Sequence, residues 1–218
     1  AAGGFVLAVG LWSGLRPQLE FDSASSSAQV EDFPARVEEL EKTIEAEPNN
    51  ADAQASLAEA YWEVGDYESA IQQSEAVLAQ DSENTTALVA KGLTQSTVGD
   101  YAGAIATFTQ AIDADAKAAT AYMERGNAYY ETGEYDQAIE DYRSALRADP
   151  SNGEPYKHWS SVNVVQGNPQ EALQILNLAI DNNAATISSH VNRGNRQAEL
   201  GNPLKAVADW TRASTMPA

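Results

Sequence analysis

From residue 51 onward, apolar and small residues recur at three- and four-residue spacing, and the whole pattern returns every 34 residues. Glycine stands at Gly65, Gly99, Gly133, Gly167 and Gly201, and alanine keeps the same step at Ala70, Ala104, Ala138, Ala172 and Ala206. Two columns held at one period through five units, without insertion or deletion, predict a tandem array of one supersecondary unit.

Each column has a physical reason. The glycine follows an amphipathic stretch, where a helix ends in a left-handed residue that glycine adopts cheaply. Asp66-Tyr67, Asp100-Tyr101, Glu134-Tyr135, Asn168-Pro169 and Asn202-Pro203 follow it, an acidic or amide N-cap and the opening residue of a second helix. The recurring Ala sits one turn into that second helix. It is matched in the first helix by Ala58, Gly92, Gly126, Ser160 and Gly194, so the two helices of a hairpin approach closely. Phe108, Tyr142, Leu176 and Trp210, four places after the Ala, are expected to fill the space between hairpins. The predicted unit is helix, tight turn, helix, over 51–84, 85–118, 119–152, 153–186 and 187–218.

Residues 32–50 read as an N-terminal capping helix with the stripe Val37, Leu40 and Ile44 and an outer face of Glu38, Glu39, Glu41, Lys42 and Glu45. Before it, residues 17–31 form a polar, Ser-rich linker (Ser23 to Ser27). No comparable cap follows the last repeat, since the sequence stops at Met216-Pro217-Ala218.

These residues resemble the tetratricopeptide repeat, and Gly126-Asn127-Ala128-Tyr129-Tyr130…Gly133…Tyr135…Ala138…Tyr142…Ala145…Pro150 matches its pattern well. The resemblance covers residues 51–218 and implies an all-α, right-handed α-solenoid of antiparallel helix hairpins. Gln95, Asn163 and Gln197 depart from it where the family has Tyr, and the repeat-end Pro occurs once in the five units, at Pro150. Repeats of this R-G-N-A-Y-Y type look like those of bacterial, cyanobacterial and plastid proteins, photosystem assembly factors with one anchor helix among them. The family binds many unrelated partners, so the resemblance speaks to fold more than to function.

Residues 1–16 are apolar, and the first fifteen carry no charge. As a helix those fifteen span about 22 Å, short of the roughly 30 Å hydrocarbon core. The chain starts with Ala, which suits a truncated or processed start. The segment reads as part of a single-pass membrane anchor through Phe5, Val6, Leu7, Val9, Leu11, Trp12 and Leu15, with the repeats in the aqueous phase. A residual signal-peptide core or a partner-covered strip are the alternatives. Arg16, alone among acids Glu20 and Asp22, argues mildly against a cytoplasmic flank and leaves the membrane side open.

Charge and composition narrow the chemistry. The formal net charge is −19, and between Glu31 and Ala90 fifteen acids stand against two bases, Arg36 and Lys42. Such a surface repels phosphate backbones, so nucleic acid is excluded as a partner and neutral, basic or apolar protein segments are favoured. Cysteine is absent, removing disulfides and thiolate chemistry. His158 and His190 lie in different columns with no second ligand at helical spacing, so neither a metal nor a cofactor is expected. No nucleophile–base–orienter set is present, and the chain reads as non-enzymatic.

In the resembling family, positions two, five, nine, twelve and thirteen of each first helix line the concave surface. Carried across, they give a candidate groove of Glu59, Trp62, Glu63, Val89, Leu93 and Met123, continued by Asn127, Tyr130, Glu131, Lys157 and Asn195. The carboxylate grip of chaperone-binding members needs basic residues that these columns lack. Trp62, Val89, Leu93, Met123 and Tyr130 instead suggest an apolar floor beside acidic rims, suited to an apolar or basic peptide or helix. At the far end, Val207 and Trp210 have no following repeat and form a candidate edge contact with another chain. Arg125 and Arg193 stand where the family usually has Leu, and those two repeats alone carry Asp141 and Asp209 at a second-helix column. The co-occurrence predicts ion pairs Arg125–Asp141 and Arg193–Asp209.

The expected role is a membrane-tethered scaffold that docks on, or helps assemble, a larger membrane complex. A soluble peptide-binding adaptor and a non-catalytic regulatory subunit of an enzyme are the competing readings. A chain held by residues 5–15 stays in the membrane pellet through a carbonate wash, and one starting near Val30 is soluble and monomeric. Release of the full chain by carbonate counts against the anchor.

Overall fold

Five glycines in the left-handed region, with φ between 76° and 86°, divide the chain into hairpins. At Gly133 (φ 83°) the backbone N–H turns back to the Tyr130 carbonyl, and the next N–H, of Glu134, reaches that of Tyr129. This closes the helix as a Cβ-bearing residue does only under strain.

The computed structural model describes residues 33–182 and 184–216. The chain opens with α1 (Phe33–Ala46) and continues as hairpins α2 (Ala51–Glu63) with α3 (Tyr67–Leu78), and α4 (Thr85–Thr97) with α5 (Tyr101–Ala114). There follow α6 (Ala119–Thr132) with α7 (Tyr135–Ala148), α8 (Glu154–Val165) with α9 (Pro169–Asp181), and α10 (Ile187–Glu199) with α11 (Pro203–Ser214). Among the described residues there is no strand, and the architecture is an all-α solenoid. Residues 1–31, which include the expected anchor and linker, lie outside them; within them no helix is long and apolar enough to cross a membrane.

Capping follows the sequence in part. Asp66 and Asp100 accept the N–H groups of Ser69 and Gly103, and Asn50 and Asn84 do the same for α2 and α4. Glu134, Asn168 and Asn202 hold the N-cap position without a side-chain cap. In the last two, proline at N1 removes a donor that needs no cap.

Hairpin packing rests on the small columns. The five recurring alanines are fully buried. Over the facing first-helix position lies the large residue of the same hairpin: a Cβ at Gly92 would sit 2.5 Å from the Phe108 ring, and one at Gly126 2.8 Å from that of Tyr142. Trp210 covers Gly194 in the same way. The rings roof the glycine of their own hairpin, and, as expected of residues between hairpins, Phe108 clusters with Ala121 and Ala128 and Tyr142 with Val162 of the next repeat. Volume is traded within the column. Where the roof is Ser74 the first helix has Ala58, and where it is Leu176 it has Ser160, whose hydroxyl bonds the Ala172 carbonyl at 3.2 Å.

Polar clamps tie hairpins to one another. Arg125 grips Asp141 with two hydrogen bonds, from Nε at 2.7 Å and Nη2 at 2.8 Å, and its Nη1 donates to Thr109 of the preceding α5 at 3.0 Å. Arg193 repeats this with Asp209 in its own hairpin and Asn177 of α9. Both expected ion pairs are present, and each guanidinium also crosses a joint that the sequence reading did not connect. Lys91 crosses the α3–α4 joint to Glu75 at 2.9 Å, sixteen residues back as in the other two. At the α7–α8 joint the same column holds Trp159, which packs with Tyr142 and Val162.

Two measurements check this packing. Asp141→Ala strands the Arg125 guanidinium in a site where the two side chains are 17% and 7% exposed. It is expected to cost about 3–5 kcal/mol in denaturant unfolding, against within about 0.5 kcal/mol for Arg143→Ala on the outer surface. Gly126→Ser alone should cost about 1–3 kcal/mol by overpacking. Combined with Tyr142→Leu it reproduces the Ser160–Leu176 pair, so the double-mutant cycle should show a favourable coupling of about 0.5–3 kcal/mol. Strict additivity would refute the ring-over-glycine account.

Candidate protein-binding groove

First helices of neighbouring repeats touch one another (α2 with α4, α4 with α6, α6 with α8, α8 with α10), whereas no second helix among the described residues touches the next second helix. The first helices therefore form the inner, concave side, and their outward-facing columns line its clefts.

Two clefts run along α6, α8 and α10. One of about 390 Å³ is lined by Asn127, Tyr130, Glu131, Tyr142, His158 and Ser161. The other, of about 200 Å³, shares Tyr130 and Ser161 with it and extends over Val164, Val165 and Asn192 to Arg196. A third, of about 290 Å³, lies between the first three repeats, where Glu59, Thr86, Val89 and Thr120 meet Asp115.

Asn127, Tyr130 and Glu131 are thus brought together, and Glu59 and Val89 line a separate cleft. The remaining candidates are engaged elsewhere. Leu93 is 9% exposed and belongs to the core around Phe108. Trp62 packs on that core and donates its indole N–H to Thr97 at 2.9 Å. Of the apolar floor expected from Trp62, Val89, Leu93, Met123 and Tyr130, Val89 and Tyr130 line clefts, Trp62 and Leu93 belong to the core packing, and Met123, half-buried, lines none of these clefts. Glu59 and Glu63 are not free rim charges either, because Arg36 of α1 bridges them at 3.2 and 2.6 Å. Lys157 is paired with Glu154, and Asn195 accepts the Trp210 indole N–H at 3.2 Å.

At the C-terminal edge, Trp210 is 40% exposed and Val207 55%. The Trp210 ring is neither fully withdrawn nor bare, since Gly194 and Asn195 of its own hairpin hold one edge.

Among the lining residues that the sequence reading did not place in the groove are Tyr142, His158, Asn192 and Arg196. His158 and Asn192 share the sixth first-helix position with Ser56, Ala90 and Glu124. The change from small residues in the first two repeats to larger polar ones in the last three is the signal that marked this column. Tyr142 is only 1% exposed, yet its phenol donates to Asn127 Oδ1 at 2.9 Å while the Asn127 amide donates to Glu124 at 3.0 Å. His158 stacks on the Tyr142 ring, with centroids 5.7 Å apart. Burial, and then the neighbouring Lys157, hold the His158 imidazole below its usual range, with Glu154 pulling the other way. Burial raises Glu124, partly offset by the Asn127 hydrogen bond. Burial also raises the Tyr142 phenol, reinforced by the Glu124 carboxylate.

Residues 34–92 and 89–153 match two family models, both described as tetratricopeptide repeat. The chain is a tetratricopeptide-repeat protein. No curated protein sequence matches it. Among solved structures, the solenoid resembles a tetratricopeptide repeat protein from Parabacteroides merdae, at 18% identity over 85% of this chain and 73% of that one, with a TM-score of 0.66. It also resembles MamA from Desulfovibrio magneticus, at 15% identity over 76% of this chain and 94% of that one (TM-score 0.62). YrrB, described as a TPR protein with an unusual peptide-binding site, shares 20% identity over 81% of this chain and 91% of its own (TM-score 0.58). At these identities the likeness shows the tetratricopeptide fold. It lends no support to a relation with anchored photosynthetic proteins.

Proposed function

We propose that the chain is a non-catalytic interaction module whose groove, along repeats three to five, holds a segment of another protein. The observation that carries this is the continuity of the two clefts through Tyr130 and Ser161, which gives three successive first helices one connected surface. The peptide-binding site named for YrrB is consistent with such a use of the fold. The uncharged residues 1–15 favour a tethered form that works beside a membrane complex, and the carbonate wash bears on that part alone.

Photo-crosslinking tests the groove. A benzophenone amino acid at exposed Ser161 or Val165 is expected to capture a partner that the same group at exposed Gln137, on the outer helix α7, does not. Equal capture from both sides places binding elsewhere.

A further inference from the structure

The geometry points to the cleft between repeats three and four as a subsite for a cationic side chain, lysine or arginine, of the bound segment. This rests on the groove reading above and names what one part of the groove selects.

The cleft combines aromatic surface with negative charge. Tyr130 and His158 line it, and Tyr130 is braced by Tyr135, with ring centroids 5.8 Å apart. His158 is fixed by its stack on Tyr142. Glu131 stands exposed at the rim. Behind Asn127 lies Glu124, a half-buried carboxylate that makes no ion pair with a Lys or Arg among the described residues and has the Asn127 amide as its hydrogen-bond donor. No Lys or Arg lines the cleft, and Lys157, beside His158 in sequence, is occupied by Glu154.

Electrostatics agree with the geometry. Burial is the main cause that raises the Tyr142 phenol, and Glu124 and, least of all, Glu131 add to it, so both carboxylates face the cleft electrostatically. The depressed His158 keeps a neutral ring there near neutral pH. An anionic or neutral side chain would leave the Asn127 amide as the sole hydrogen-bond compensation given to Glu124 among the described residues. A cation compensates it and gains the ring faces as well, a contact that strengthens when water is excluded.

The test selects random peptides on the full chain and follows their cross-linking at Ser161. One position of the selected peptides should carry Lys or Arg, and replacing it with norleucine or citrulline should weaken binding about 5- to 30-fold. That loss should disappear in a Tyr130→Leu, Glu131→Gln variant, which keeps apolar bulk and changes one exposed carboxylate. Peptides that cross-link at Ser161 yet show no basic position, or whose loss survives in the variant, overturn the subsite while leaving the groove reading intact. A second arm titrates Nα-acetyl-arginine methylamide and its citrulline counterpart, reading the backbone resonances of 127–131 and 158–161. Shifts with the first alone support the subsite even if no peptide binds and the groove reading falls. Equal shifts with both, or none, overturn the subsite.

Discussion

The closeness of the two helices within each hairpin sets everything else in the solenoid. A buried alanine on one helix and a glycine, alanine or serine on the other let the backbones approach until Ser160 can reach the Ala172 carbonyl. That approach leaves the next large side chain nowhere to go except across the small residue, which is where Phe108, Tyr142 and Trp210 lie. In repeats two and three, the ring laid there forms part of the floor on which the following first helix rests. Hairpin geometry and stacking are thus one problem solved at one column, and the compensating changes at Ala58–Ser74 and Ser160–Leu176 show its volume held within limits.

Polar contacts act on top of this packing. The Arg125 and Arg193 guanidiniums each join three helices, two within a hairpin and one from the hairpin before. A planar fork with five donors suits that task, whereas Lys91 in the same column reaches a single partner across the joint, Glu75. These contacts hold the α5–α6 and α9–α10 joints on either side of the surface where Asn127, Tyr130 and Ser161 converge, while Trp159 packs the α7–α8 joint beneath it.

The fold was legible in the sequence because its determinants are periodic: a glycine that must be left-handed, an alanine that must be small, and a 34-residue step that never slips. The Arg–Asp pairs were legible for the same reason, since both partners change together in the same two repeats. The groove was only partly so. Column counting places a residue on the inner side but does not say whether a neighbour has already claimed it, as the Phe108 core has Leu93 and Arg36 has Glu59 and Glu63. Nor does it find a roof residue such as Tyr142, whose hydroxyl reaches the cleft from a second helix.

The cross-joint contacts have an evolutionary corollary. A repeat array grows and shrinks by whole units, and a junction survives only if the side chains newly brought face to face are compatible. Excising residues 119–186 would set Arg193 opposite Thr109, a meeting that Arg125 already makes in this chain, with Asp209 still in place behind it. Excising 153–186 instead would bring Arg193 against Arg143, a like charge where Asn177 now accepts from it. The array is therefore not equally divisible at every seam: its polar columns favour some lineages of shorter and longer forms and disfavour others.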